Sequence, residues 1–405
     1  MLTRRTFFQL MGASTGAVIT GSQLLSQAAA SAAPALSPHG SNGIEHVVIL
    51  MMENRSFDHF LSWLPGADGR RDMAYLSTDG NVYPNYPLAP DFQGCGYSDP
   101  DHSWEGFLVQ RNFGRMDGFL QRPTAPAGNP GVTLAAANTF PAGYYTNFHH
   151  DGRRKPVPDL PVIGALAENY TTLDRYFCSF AGETFPNRFY QHAARTDRDH
   201  NSNNISALAT IWDKLSPIPN TQGVPTGEWG GFFDHVPPPR VIDDTDPATA
   251  DHTGDGTTPT DGQLIPDYRQ LGFRVPAIVV SNLAPATVVQ HGPFEHASTL
   301  KRIESTFGFQ PLTARDAHAE DLGDVLDRRP SHRFRRPEIP TSSQVLGPVS
   351  DAAAVCSADS VRSVSPEPLH RGHRQPGARV LPQSGSPTGA GMVGFGQEYR
   401  KEHGR

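Results

Sequence analysis

Ile44-Glu45-His46-Val47-Val48-Ile49-Leu50-Met51-Met52-Glu53-Asn54-Arg55-Ser56-Phe57-Asp58-His59-Phe60 is the stretch from which the rest of the chain is read. Val47 to Met52 is an unbroken apolar run, too short for a helix and rich in β-branched residues, and it predicts a central strand buried on both faces. The run stops at Glu53 and Asn54, which sit at the carboxyl end of that strand, where open α/β sheets place their ligands. A carboxylate beside an amide oxygen suits a hard divalent cation. The same residues also admit a structural reading, with Asn54 as the N-cap of a helix that starts near Arg55.

Met52-Glu53-Asn54-Arg55-Ser56-Phe57-Asp58-His59-Phe60 resembles the opening signature of the bacterial phosphoesterase family of phosphatidylcholine-type phospholipases C and acid phosphatases, within the alkaline-phosphatase-like superfamily. The resemblance implies an α/β fold with a mostly parallel central sheet and helices on both faces. It also implies that Glu53 and Asn54 hold a divalent metal ion, whose identity the sequence does not give.

The 405 residues allow one large α/β domain or two smaller ones. With 37 Pro and 39 Gly, the composition suggests a loop-heavy domain in place of a helical bundle. A formal charge of -7 argues against a nucleic-acid binder, which would carry a basic stripe. Cys95, Cys178 and Cys356 lie far apart and have neither zinc-ligand spacing nor the pattern of a disulfide framework. At the start, Thr3-Arg4-Arg5-Thr6-Phe7-Phe8 is a twin-arginine pattern, followed by a weakly apolar segment and an Ala-rich stretch through Ala33. Residues 1–33 are therefore expected to be a signal peptide read by the twin-arginine export machinery. Arg4 and Arg5 are its only charged side chains, so its removal takes the net charge to -9. The mature protein is expected in the periplasm, at the cell wall or secreted, soluble or peripheral to a membrane.

Leu64 to Pro100, punctuated by Gly, Pro, Asp and Tyr, reads as an extended surface loop. Asp101-His102-Ser103-Trp104-Glu105-Gly106 and Gly114 to Phe119 also match the family, which implies an active-site role for His102; alone, a loop His is more often a surface or capping residue. Leu160 to Glu168 reads as a helix. Gly182-Glu183-Thr184-Phe185-Pro186-Asn187-Arg188 places a hydroxyl in a tight turn that opens a helix at Asn187, and a helix start stabilises phosphate. Taken by spacing, Thr184 is an N-cap. The resemblance instead implies that Thr184 is a metal-contacting nucleophile that becomes phosphorylated, with Asn187 and Arg188 at the substrate. Ala207 to Leu215 reads as a short amphipathic helix.

After Leu215 the chain departs from the family pattern. A long block is absent, and only 216–226 separate Leu215 from Gly227-Glu228-Trp229-Gly230-Gly231-Phe232-Phe233-Asp234-His235. Gly227 stands where the family has a metal-binding Asp, while Glu228 is retained as a metal ligand. His235 has two readings, a site residue or a shaper of the turn at Pro237-Pro238-Pro239. Asp251 to Gly262 fails as a calcium loop, because Thr253 and Gly262 stand where oxygen ligands are needed, and reads as a solvated loop. Ala277-Ile278-Val279-Val280-Ser281 is a second central-strand candidate. Phe294-Glu295-His296-Ala297-Ser298-Thr299 resembles the family's Asp-His-Thr-Ser element at the head of an amphipathic helix, which makes His296 a candidate phosphate contact or general acid.

Beyond Pro330, Ile339 is the only isoleucine and Lys401 the only lysine. Residues 331–405 read as a disordered tail, and their bias also suits a shifted reading frame in a GC-rich gene. The domain is thus expected over 34–330, shortened near 216–227. The expected activity is metal-dependent hydrolysis of phospholipid to diacylglycerol and phosphorylated headgroup. Two alternatives stay open, an acid phosphatase acting on monoesters and a catalytically impaired secreted pseudoenzyme.

Overall fold

Thr171-Thr172-Leu173 is the middle strand of the largest sheet, and its β-branched, fully buried residues pair on both edges. A computed structural model describes residues 43–52, 54–88, 100–122, 138–147, 159–202, 204–215, 228–252, 265–326, 339 and 367–369. In chain order the strands used below are β1 (Ala74–Leu76), β2 (Val82–Pro84), β3 (Tyr86–Pro87), β4 (Gly143–Tyr144), β5 (Thr171–Leu173), β6 (Tyr176–Phe177), β7 (Ala277–Val279), β8 (Val288–Gln290) and β9 (Phe294–Glu295). The helices are α1 (Phe57–Leu61), α2 (Trp104–Arg111), α3 (Pro161–Asn169), α4 (Thr184–Ala193), α5 (Ile211–Lys214), α6 (His296–Phe307) and α7 (Ala314–His318).

The chain is mixed α/β, and among the described residues the strands fall into four small sheets. β5 runs antiparallel to β7, with Thr171 opposite Val279, and parallel to β8, with Thr171 opposite Val288. The pairs β6–β9 and β3–β4 are parallel, and β1–β2 is antiparallel. One large, mostly parallel sheet is therefore not what the described residues form. The expected strand Ala277–Ser281 is present as β7, shortened and half-buried.

Val47 to Met52 differs most from expectation. It is not a strand, and Val48, Leu50 and Met52 are 89%, 84% and 68% exposed. The alternation of an extended chain persists, but no described strand lies alongside to pair with it. Leu64 to Leu88 differs the other way. Met73, Tyr75, Tyr83, Tyr86 and Leu88 are buried there, because the β1–β2 hairpin carries its aromatic side chains inward.

An aromatic core sets the site's position. Phe107 of α2 lies 4.8 Å from Phe273, and the Trp229 ring meets Phe273 edge-on at 5.4 Å. Trp229, Phe232 and Phe233 are all fully buried, so the segment after Glu228 is a core element. A second cluster joins Ala194, Ile211, Leu300 and Ile303 where α4, α5 and α6 meet. Among the described residues no helix is long and apolar enough to cross a membrane.

Candidate active site

Three separate segments converge through close backbone approach. Gly230 and Gly231 have φ of +64° and +74°, in the left-handed region that glycine enters without strain. A Cβ at Gly230 would lie 2.4 Å from the Asn54 carbonyl oxygen and 2.8 Å from Asn54 Cγ. At Gly231 it would lie 2.5 Å from Pro100 Cβ and 2.7 Å from the Asp101 oxygen. Only a Gly-Gly turn brings the Glu228 segment against both Asn54 and the loop before His102. Trp229 Nε1 donates to Gln110 Oε1 at 3.1 Å, which ties the same turn to α2.

Glu228 is 1% exposed, and its Oε2 accepts the Gly230 N–H. Burial pushes the Cys178 thiol well up, and the Glu228 carboxylate pushes it further. Asn54 Oδ1 accepts from Arg55, whose guanidinium covers the Phe232 ring at 4.5 Å. Asn54 is not a helix cap. That place belongs to Ser56, whose Oγ accepts the His59 N–H at 3.4 Å as α1 begins at Phe57. Glu53 lies outside the described residues, as does Gly227.

His102 Nδ1 donates to the Pro100 carbonyl at 2.8 Å, a tautomer fixed because a carbonyl can only accept. Asp101 and Ser103 set the start of α2. Asp101 Oδ1 accepts the Ser103 N–H, and Ser103 Oγ accepts the Gly106 N–H.

Thr184 is the first residue of α4 rather than its cap, and it is 9% exposed. The helix starts three residues earlier than the sequence suggests, since Asn201 supplies a cap from a distance: its Oδ1 accepts the Phe185 N–H at 2.8 Å. Among the described residues the Thr184 hydroxyl forms no hydrogen bond. Asn187 holds the turn shut, its Oδ1 accepting Phe180 N–H and its Nδ2 reaching the carbonyls of Phe180, Gly182 and Glu183 at 3.0–3.1 Å. Both ends of that amide are engaged by backbone, so Asn187 shapes the turn. Arg188 lies over the Phe185 ring at 5.5 Å. Phe180 stacks on Trp104 at 6.4 Å, and this contact links the Thr184 turn to the His102 segment.

His235 and His296 have other surroundings. His235 sits between two carboxylates, with Nδ1 2.6 Å from Asp58 Oδ2 and Nε2 3.1 Å from Asp68 Oδ1. Burial opposes its charge, but the hydrogen bond to Asp58 raises it above the ordinary imidazole value. His296 opens α6, is buried, and meets Tyr176 Oη through Nδ1 at 3.2 Å.

Asp58, Asp234 and His235 each offer a ligand atom, all within 4.8 Å of one another. A cation fits poorly there, because Arg274 already fills the space between them. Its guanidinium lies 2.6 Å from Asp234 Oδ1 and 3.2 Å from Asp58 Oδ2, and all three side chains are fully buried. Burial alone would raise Asp58, yet Arg274 and His235 hold it below the ordinary carboxylate range. Asn54 and Glu228 are hard oxygen donors on segments that meet at Gly230, with Asn54 Oδ1 accepting from Arg55 and Glu228 Oε2 from the Gly230 N–H.

Sequence reasoning missed Arg274, Asp199, His200 and His252. Arg274 carried a signal, a charge inside the apolar run Leu271-Gly272-Phe273-Arg274-Val275. Asp199 and His200 stand in Asp197-Arg198-Asp199-His200-Asn201-Ser202, just past α4, but the second imidazole on Asp199, His252, is 53 residues on from it. Only the fold brings them together.

The phosphoesterase family model matches residues 44–221 and 227–310. Phospholipase C B of Mycobacterium tuberculosis is 27% identical over 478 aligned residues, covering 80% of this chain and 86% of that protein. At that coverage this chain fills about 324 of the 478 positions, and about 150 face a gap in it. Non-hemolytic phospholipase C of Pseudomonas aeruginosa is 31% identical over 235 residues, 52% of this chain and 30% of that protein. Non-specific phospholipase C3 of Arabidopsis thaliana is 23% identical over 462 residues, covering 80% of this chain and 84% of that protein.

Proposed function

Because the chain belongs to the phosphoesterase family, we propose that it hydrolyses phosphoester bonds by a phospholipase C reaction, releasing diacylglycerol and a phosphorylated headgroup. The observation that carries the reading is the Thr184 hydroxyl, without a hydrogen bond among the described residues, at the start of a ten-residue helix whose turn is linked to the Asn54, His102 and Glu228 segments. Thr184 Oγ gives up its proton to solvent and attacks phosphorus, the bond from phosphorus to the diacylglycerol oxygen breaks, and His102 steadies or protonates that oxygen. Water then cleaves the phosphothreonine and frees the headgroup phosphate. Phe185 N–H is taken by Asn201 and Pro186 has none, so α4 acts on the charge that develops on the phosphoryl oxygens through the positive end of its dipole. His296, closed in beneath Tyr176, contributes from the second layer, and His235 keeps its ion network in place.

Asn54, Glu228 and Thr184, with Glu53, would hold a divalent ion, which supplies Lewis-acid polarisation of the phosphoryl group and lowers the hydroxyl pKa. The twin-arginine pattern at Arg4 and Arg5 supports export in the folded state.

A second reading, a catalytically impaired secreted protein, is favoured by exposed Val48, Leu50 and Met52, since the segment that leads into Glu53 and Asn54 is not held in a sheet. The gap of about 150 positions against the mycobacterial relative supports a shortened domain as its cause. The deciding experiment compares p-nitrophenyl phosphorylcholine with p-nitrophenyl phosphate as substrates of the purified chain, beside Thr184→Ala and a chelated sample. Diester turnover lost in both controls supports the phospholipase C reading. Preference for the monoester moves it to an acid phosphatase, and no turnover from folded, metal-supplemented protein overturns the enzyme reading.

A further inference from the structure

Outside the residues named so far in the reaction, one carboxylate holds two imidazoles beside the Thr184 turn. The segment 197–204 is laced to 246–252: Asp251 N–H donates to the Asp197 carbonyl at 2.6 Å, and Ser202 Oγ donates to Asp251 Oδ2 at 3.0 Å. This pairing brings His252 to buried Asp199. Asp199 Oδ1 accepts from His200 Nδ1 at 2.6 Å, and Oδ2 accepts from His252 Nδ1 at 2.5 Å. His252 Nε2 lies 2.8 Å from the Pro247 carbonyl. Both partners of His252 can only accept, so both of its nitrogens carry protons.

His200 is thereby fixed at Nδ1, with Nε2 turned outward. That nitrogen faces Glu105 Oε2 at 4.0 Å, beyond hydrogen-bond distance. The next residue, Asn201, caps α4 through Phe185 N–H, and its own N–H donates to Glu183 Oε2 at 2.6 Å. The hydrogen bond to Asp199, with the Asp199, Glu183 and Glu105 charges, outweighs burial and raises His200 to about 9. At neutral pH it is an imidazolium at the head of the nucleophile helix.

We propose that His200, oriented by Asp199 and backed by His252, is a charged hydrogen-bond donor to the phosphoryl oxygens of a ligand at the Thr184 turn. The inference rests on the Thr184 reading above. Glu105 acts as the counter-charge of His200 in the empty site, and an arriving phosphoryl group takes over that role. Glu183 is held away by the Asn201 N–H. Asp199 and His252 are positioning residues, since they act through His200.

The test is calorimetric titration of the intact chain with inorganic phosphate and, separately, with glycerophosphocholine, for wild type, His200→Gln and Glu105→Gln. Binding of phosphate alone points to the monoester dianion, and binding of both includes the diester. His200→Gln is expected to weaken whichever binds by tenfold or more, the scale of one hydrogen bond to a charged group. Glu105→Gln is expected to tighten it, and to do so less beside His200→Gln, a coupling that a purely structural His200 would not produce. Wild-type affinity in His200→Gln overturns the proposal, as does a wild-type chain that binds neither ligand at millimolar concentration. Should His200→Gln fail to fold, an unchanged affinity in Glu105→Gln overturns it. Turnover sensitive to Thr184→Ala is scored separately, so loss of the phosphate contact and loss of the enzyme reading are told apart.

Discussion

Replacing Arg274 with Met removes the one guanidinium that stands between two fully buried carboxylates. Its Nε and NH2 bond Asp234, NH2 lies 3.2 Å from Asp58, and NH1 donates to the carbonyls of Asp68 and Asp174 at 2.7 and 2.8 Å. Met fills a similar volume over the Phe57 ring, so the loss is electrostatic. Breaking a buried ion pair by deleting one partner costs about 3–5 kcal/mol, because the remaining charge is left in a poor solvent. Here two carboxylates and two carbonyls lose a partner together, and the upper end of that range is expected. With an m-value of about 3 kcal/mol per molar urea, the midpoint falls by about 1–1.7 M. The assay is urea unfolding followed by tryptophan fluorescence and circular dichroism, beside the triple variant Asp58→Asn, Arg274→Met, Asp234→Asn. Removing both charges with their partner should restore much of the midpoint. A loss below about 1 kcal/mol in Arg274→Met would refute the view that this cluster is a charge-compensated core element.

Gly230→Ala sets a Cβ against the Asn54 backbone at a positive φ. A stability loss of about 1–3 kcal/mol is expected from the strain, and a fall in diester turnover of about 100-fold from displacement of Asn54. Turnover close to wild type would show that the Gly230 approach does not set the site. Asn187→Ala leaves the Phe180 N–H and several turn carbonyls unmatched in a buried place, so it should cost about 1–3 kcal/mol and weaken activity through the turn; thermal melts with parallel rate measurements check both. Glu304 is pushed up to about 8 by burial, with Asp316 adding to it and Lys214 3.9 Å away opposing. The folded chain thus holds a proton that the unfolded chain releases near pH 4.5, and stability falls as pH rises from there to about 8. Relative to Glu304→Gln, the wild-type melting temperature should drop steadily over that window, and parallel curves would refute the assignment.

Much of the local structure was legible in the sequence because it rests on local signals. The helix expected over 160–168 appears as α3, and the head of α6 lies at His296, where a capping box between Glu295 and Ser298 sets it. The site was legible as motifs, and its geometry was not. Nothing in the spacing of Gly230 and Gly231 says which backbone they must approach, since Asn54 and Pro100 arrive from elsewhere in the chain. His235 looked like a site residue because it closes the segment from Gly227, yet Asp58, from the opening signature, draws it into the Arg274 network. Val47 to Met52 misled for a different reason. Hydrophobic periodicity reports what a segment would bury if given a partner, and it carries no information on whether the partner is there.

Burying a Val, Leu or Met side chain fully contributes roughly 1.5–3 kcal/mol. Val48, Leu50 and Met52 therefore represent roughly 5–9 kcal/mol of forgone burial, comparable to the entire margin by which a domain stays folded. Such a segment behaves as a cut face, and the concentration at which the chain stays in solution is expected to depend on it. Charged replacements at Val48 and Leu50 then become a solubilising change that leaves the convergence of Asn54, Pro100 and Glu228 untouched, because that convergence is held by glycine contacts outside any sheet.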